Sequence, residues 1–251
     1  MTDAVYAVRI TNPSVINFFV SASPSLPPAP AEPTGKRSRR KHERPGELLQ
    51  AALDLFVEKG YAATRVDDVA ARAGVSKGTL FLYFASKQEL FKAVVRDSIA
   101  GRFAEWSEEL DSYCAPSSDL LRYCFNSWWE RIGNTKASGI TKLMLSEAGN
   151  FPELAQFYHQ EVVLPGHELI RRILQRGVER GEFRPMDLDL AVHCVIAPMM
   201  FLMIWKHSLG GCLPQDGFVP EQFIAAQVDT LLHGLCTPGA RLPILPICCA
   251  P

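Results

Sequence analysis

The sequence predicts an all-α protein in two parts, a short three-helix module joined by a long helix to a larger helical domain. Three observations predict it. Apolar residues recur at three- and four-residue spacing through most of residues 45–236, in runs bounded by capping residues, glycines or prolines. No stretch alternates polar and apolar residues as a half-buried strand does, and no segment repeats. Charge also divides along the chain. Residues 36–96 hold 13 Lys and Arg against 7 Asp and Glu, which leaves 13 basic and 20 acidic residues elsewhere, so the net −1 conceals a segment of +6 and a remainder of −7. A basic module on an acidic body suits a polyanion gripped at one end. Hydrophobic residues at 47% and charged ones at 21% give the profile of an ordinary soluble globular protein, with 251 residues for one large domain or two smaller ones.

Residues 21–35 (SASPSLPPAPAEPTG) contain five prolines among small and polar residues and cannot build a core, so residues 1–35 are expected to be a disordered leader. Lys36 to Arg44 (KRSRRKHER) holds six Lys and Arg and one Glu, the composition of a flexible basic arm; leader and arm together occupy about residues 1–41. Ordered structure is expected from Pro45, whose missing N–H suits the first position of a helix. Leu49, Ala52, Leu53, Phe56 and Val57 form the apolar stripe of that helix, and Gly60 stops it. Thr64 then opens a second helix with Asp67 at capping-box spacing, buried through Val66, Val69, Ala70 and Ala73 and ended by Gly74. Ser76 caps a third, with Val75 and Leu80 placed as a hydrophobic staple. Ser86-Lys87-Gln88-Glu89 is a further capping box, opening a long helix to about Ser112.

The remainder is expected as amphipathic helices at about 117–133, 136–148, 152–181, 187–207 and 220–236. Pro116, Gly133, Gly149, Gly181 and the loop from Gly210 to Pro220 separate them, and Pro165-Gly166 should kink or split the third. The tail at 238–251 has four prolines and is expected to be irregular.

Several classes of function are set aside. No uninterrupted apolar run reaches the 18 or so residues that cross a bilayer, and Val15–Val20 is too short, broken by Asn17 and preceded only by Arg9, to be a convincing export signal. Seven cysteines are odd in number and form no Cys-x-x-Cys pair, so neither zinc nor a disulfide framework is indicated, and a reducing cytoplasm fits best. No metal and no cofactor is expected. Gly74-Val75-Ser76-Lys77-Gly78 satisfies G-x-S-x-G, but a nucleophile elbow needs a strand before its serine, and here a helix precedes one that already acts as a cap; a serine hydrolase is the remote alternative. His159-Gln160-Glu161 and His167-Glu168 complete no zinc motif and fit solvated helix faces. Cys248-Cys249 would serve a redox switch only if the tail had one.

Two short helices joined at Gly74 form a helix-turn-helix at about 65–84, in which the second short helix starts at Lys77-Gly78-Thr79 and Gly78 holds nothing away from DNA. From Gly60 to Leu90 the chain (GYAATRVDDVAARAGVSKGTLFLYFASKQEL) closely resembles the DNA-binding signature of the tetracycline-repressor (TetR) family, from the Gly-aromatic pair to the closing Ser-Lys. The resemblance spans about residues 42–102. It implies a DNA-binding module at the N-terminus, a helical effector-binding and dimerisation domain over about 103–237, and a homodimer that sets one recognition helix in each of two successive major grooves. Thr64, Lys77, Thr79, Tyr83 and Lys87 match family positions that touch DNA; Arg65, Ser76 and Gly78 complete the expected surface, with Lys36, Arg37, Arg39, Arg40 and Lys41 of the arm. The family usually has Tyr where this chain has Phe81.

The C-terminal part is rich in aromatic residues and methionine, most of them expected in core or interface. The resemblance implies an effector pocket among its first helices, for which Phe103, Trp106, Phe125, Trp128, Met144 and Met199 are the candidates, and a dimer face on its last two long helices. Leu188–Trp205 is apolar nearly all round and must be covered on every side. The expected function is ligand-responsive repression of transcription, not an enzyme's, by a homodimer that binds a short palindromic operator and is released by a small, mostly apolar effector. A binder of DNA without sequence preference is the third reading.

Overall fold

A computed structural model describes residues 35–210 and 218–235, with side chains from Arg44 onward except Leu209. The expected leader, the Gly210–Pro220 loop up to residue 217, the tail and Cys248-Cys249 lie outside the described residues. Among those described there are eleven α-helices and no strand: α1 (Gly35–Ala63), α2 (Val66–Arg72), α3 (Lys77–Phe81), α4 (Lys87–Val95), α5 (Arg102–Ser112), α6 (Ser117–Trp128), α7 (Ser138–Glu147), α8 (Pro152–Tyr158), α9 (Leu164–Glu179), α10 (Leu188–Ile204) and α11 (Pro220–Leu235).

Helix α1 begins ten residues before Pro45, so the basic stretch is helical rather than a flexible arm, and Pro45 lies inside the helix instead of opening it. Lys, Arg and Glu are good helix formers and the stretch from Lys36 to Arg44 has no glycine; Pro45 removes one N–H from the ladder. At the other end α1 breaks at Gly60, where φ is 83° and ψ 168°. Only glycine adopts that backbone without strain.

Thr64 does not cap α2. Its hydroxyl turns back to donate to the carbonyls of Leu55 (3.1 Å) and Gly60 (2.7 Å), and Arg65 takes the N-cap position with no side-chain bond. The carbonyls freed where α1 breaks outcompete the start of α2 for that hydroxyl. Gly74 ends α2 as expected: Val75 N–H reaches Ala70 O at 2.9 Å and Gly74 N–H reaches Ala71 O at 3.1 Å, with φ 66° at the glycine. Ser76 and Ser86 accept from the backbone N–H groups of Thr79 and Glu89, both at 3.1 Å.

The long helix expected from Ser86 to Ser112 is present but carries a π turn at Arg96–Ala100. Three other π turns follow, at Trp129–Gly133, His159–Val163 and Trp205–Leu209. The turn at His159–Val163 is the answer to Pro165-Gly166: the break falls one turn upstream of the proline, where Leu164 N–H bonds back to His159 O across five residues.

One continuous core runs through both parts. In the N-terminal part Leu48, Ala52, Phe56, Val69, Leu80, Leu90 and Phe91 are all buried, and α1 packs on α2 and α4. In the C-terminal part α9 is central. Leu169, Ile170, Ile173, Leu174 and Gly177 make one buried stripe against α5, α6 and α10. Each such aliphatic side chain contributes about 1.5–3 kcal/mol on burial. Helix α1 also packs directly on α7, which joins the two parts.

The stretch Leu188–Ser208 is, by length and composition alone, long and apolar enough to cross a membrane, which corrects the expectation that no run is. Counting only uninterrupted apolar residues missed it, because Asp189, His193 and Pro198 lie inside. Val192, Val195, Met199, Leu202 and Met203 bury one face of α10, and α10 packs on α7 and α9. Its other face leaves Leu190, Phe201 and Ile204 exposed.

The ring of Phe183, 1% exposed, lies flat on the backbone of α9 at Gly177, where a Cβ would stand 2.1 Å from Cδ2. Gly177→Ala is expected to destabilise the protein by about 1–3 kcal/mol, as overpacking does. Gly149→Ala, where a Cβ meets nothing within 4 Å, should leave the melting temperature unchanged or slightly raised in the same thermal denaturation.

Candidate nucleic-acid interface and ligand cavity

Helices α2 and α3 and the Gly74 turn form the expected helix-turn-helix. Leu80 is its buried anchor, and Val75 packs against the core as the staple. The other side of α3 faces outward. Ser76, Lys77, Gly78 and Phe81 are exposed, and Thr79 is half-buried with its hydroxyl 2.9 Å from that of Ser76. A Cβ at Gly78 would meet only Ser76 Oγ, at 3.8 Å. Close packing between the two short helices therefore does not demand the glycine. Lys77 pairs with Asp67 of α2 at 3.0 Å, and Arg65 is exposed with no ion-pair partner among the described residues. Tyr83 is half-buried against the core. The side chains of Lys36, Arg37, Arg39, Arg40 and Lys41 lie outside the described residues.

Two residues of the expected set face inward instead. Thr64 is 1% exposed with its hydroxyl committed as described. Lys87 reaches from α4 to donate to the carbonyls of Tyr61 (2.9 Å), Thr64 (3.1 Å) and Ala62 (3.3 Å), and its ammonium sits 4.4 Å above the Tyr61 ring. Burial holds this amine below its ordinary value, partly offset by Glu147. Both residues build the α1–α2 turn, where carbonyls released at Gly60 need donors.

The N–H groups of that turn are met from the other part of the molecule. Glu147, at the end of α7, accepts from Tyr61 N–H (2.9 Å) and Ala62 N–H (3.2 Å). A Cβ at Gly60 would fall 2.6 Å from its Oε1, a second reason for glycine there. Phe151 stacks edge-on against Tyr61 at 4.7 Å. No local pattern announces Glu147, because its partners lie more than 80 residues away in sequence.

Between α5, α6, α7, α9 and α10 lies a cavity of about 510 Å³. Phe103, Trp106, Phe125, Trp128 and Met199 line it, as expected; Met144 does not, and is packed in the core instead. Helical spacing puts Met144 and Thr141 on one side of α7, and it is Thr141 that borders the cavity. Sequence reading missed Thr141, Tyr158, Cys124, His167 and His193, all of which line it. His167 is thus a wall residue rather than a solvated one. Its ring stands 5.0 Å from that of His193, and burial, then His193 and His159, hold its imidazole below the ordinary range. Burial pushes the Cys124 thiol up to about 12, so it is no reactive thiolate. Trp106 Nε1–H is spent on Ser127 Oγ at 3.0 Å. Among the described residues no group of three or more His, Cys, Asp or Glu could hold a metal.

Ser76 follows a helix and caps the next, so the strand required before a serine nucleophile elbow is replaced by α2.

Comparison with known proteins bears on these surfaces. Residues 48–94 match the family model of bacterial regulatory proteins of the tetR family, and residues 117–209 match the tetracyclin repressor-like C-terminal domain. The HTH-type transcriptional repressor KstR2 of Mycolicibacterium smegmatis is 32% identical over 199 residues, covering 78% of this chain and 92% of that protein. A putative transcriptional regulator from Saccharomonospora viridis, solved with choline, superposes with a TM-score of 0.64 at 20% identity, covering 78% of this chain and 99% of its own. The regulator FadR from Bacillus subtilis, solved with stearoyl-CoA, gives a TM-score of 0.56 at 18% identity over 75% of this chain and 95% of its own.

The placement of Lys87 makes a prediction that separates two roles. Lys87→Met should lower stability by about 1 kcal/mol, since three partly exposed carbonyls lose their donor. The slope of log operator affinity against log salt should stay unchanged. A slope flatter by roughly 0.9 with undiminished stability would instead mark Lys87 as a phosphate contact.

Proposed function

Because the chain belongs to the TetR family of bacterial regulatory proteins and is a ligand-responsive helix-turn-helix repressor, we propose that it acts in the cytoplasm as a homodimer on a short palindromic operator. A small, mostly apolar effector then releases it. The observation that carries the reading is the apolar cavity bordered by α7, the helix whose last residue grips the DNA-binding part.

On the DNA side, the outward face of α3 with Lys77, Gly78 and Thr79, together with Arg65 and Tyr83, is the surface we assign to base edges and phosphates. Ser76 holds its first turn in shape. Thr64 and Lys87 support this surface from within. The cationic start of α1 adds charge that follows the phosphate backbone.

The second copy is argued from α10 and α11. Leu190 is 65% exposed, Phe201 45% and Ile204 41%, at spacings that put them on one side of α10. Phe201 lies 5.5 Å from Phe223 of α11, so the apolar face continues onto that helix. An apolar face of this kind on a helical protein calls for a covering partner, and a symmetric copy presents the same face in return.

The effector is argued from the walls of the cavity. The fold neighbours hold ligands as unlike as choline and stearoyl-CoA, so the fold alone does not choose one. Here aromatic and aliphatic side chains dominate and no Lys, Arg, Asp or Glu lines the space, which favours an apolar ligand body. Thr141 on the cavity side and Glu147 at the clamp are six residues apart on α7, about 9 Å along the axis. An effector that shifts α7 therefore acts on the Gly60–Thr64 turn and on the separation of the two recognition helices. It releases DNA only by the amount it prefers the shifted state.

Selection of bound sequences from random DNA should recover a palindrome. Gly78→Leu should abolish its binding with the melting temperature retained, since the site has room on the protein side and leucine favours helix. Recovery of unrelated sequences would overturn the operator reading in favour of non-specific binding.

Glu147→Ala tests the coupling. With an effector found by thermal-shift screening, its affinity for the cavity should persist. The ratio of operator affinities without and with effector, roughly 5–150-fold for such couplings, should fall toward one. An unchanged ratio, measured by fluorescence anisotropy of labelled operator, would remove Glu147 from the pathway.

A further inference from the structure

The cavity wall carries a pair of hydroxyls, Thr141 Oγ1 and Tyr158 Oη, 2.7 Å apart on residues each 7% exposed. Two hydroxyls bring two protons and share one hydrogen bond. Whichever oxygen donates, the accepting hydroxyl keeps a proton that no described protein atom takes. The Tyr158 phenol does not lose that proton at physiological pH, because burial raises it to about 12 against the lowering effect of the Thr141 bond. A buried O–H with no acceptor is costly, and it becomes a directional contact when a ligand supplies one.

We propose that Thr141 and Tyr158 form the polar anchor of the effector site and select a neutral, largely apolar ligand bearing a ketone or similar uncharged oxygen acceptor. This rests on the reading of the cavity as the effector site. The lining at the pair disfavours a charged group there. A carboxylate placed at the pair would find one donor and no Lys or Arg, since none lines the cavity. An ammonium would find no anion. A bare hydrocarbon would fill the space against Trp106, Phe125 and Met199 while leaving the proton unanswered.

The test compares two probes of one shape, 2-acetylnaphthalene and 2-isopropenylnaphthalene, titrated into the full-length protein by quenching of tryptophan fluorescence. The readout is the ratio of the two affinities, which cancels the apolar contribution they share. Going from wild type to Thr141→Val/Tyr158→Phe should shift that ratio about tenfold toward the hydrocarbon, while the hydrocarbon itself binds as well or better. The single variant Tyr158→Phe leaves Thr141 its proton and should keep most of the preference, which guards against a fold defect in the double variant. If both probes bind but the ratio moves less than twofold, an enclosed water serves the pair; the anchor is then overturned while the apolar cavity reading stands. If neither probe binds the wild-type protein, both readings fall.

Discussion

The structure depends on how the backbone of one turn is satisfied. Where α1 breaks at Gly60 its helical hydrogen bonds end, and the freed backbone groups of the turn need partners. They are met from three directions. Thr64 supplies a donor from within the turn, Lys87 donates to three carbonyls from α4, and Glu147 accepts two N–H groups from α7. The rings of Phe56, Tyr61, Phe91 and Phe151 close over it. No rigid rotation of the recognition helices relative to the body leaves all of these bonds intact. The two parts are therefore joined by contacts that are specific in direction, and the hydrophobic core alone would not give that.

What the sequence made legible was local. Ser76, Ser86 and Gly74 behave as their positions predict, because a cap or a left-handed turn is decided within four or five residues. The apolar stripes placed the helices of the C-terminal part closely but not the start of α1, and the family resemblance added the helix-turn-helix. The misreadings each have a competitor at long range or in backbone chemistry. Thr64 had capping-box spacing but nearer carbonyls to serve. Lys87 matches a DNA-touching position of the family, and its three bonds to the turn had no local signal. Met144 lies on α7 beside the cavity yet packs in the core. Glu147 and the Thr141–Tyr158 pair had no signature at all, since each joins elements that meet only in three dimensions.

Charge in the DNA-binding part is less free than its sum suggests. Lys77 pairs with Asp67, Lys59 with Asp68 and Arg72 with Glu58, all on exposed side chains. Such pairs are worth about 0–1 kcal/mol in water, so a phosphate displaces the carboxylate at little cost. They hold Lys59, Arg72 and Lys77 against the surface of α1 and α2. Arg65 has no such partner among the described residues.

Three of the four π turns supply cavity wall: Ile99 from the first, Ile132 from the second, Val162 and Val163 from the third. Each holds one residue more than the α-helix it interrupts would need. Loss of a single codon within such a turn would let the helix close into regular α form and rotate everything beyond it by about 100°. At Arg96–Ala100 that rotation would swing Phe103 and Trp106 on α5 away from the ligand space while leaving α1 to α4 as they are. A pocket built on π turns can thus be remodelled by one-residue gains and losses, without rewriting its side chains and without touching the surface that meets DNA.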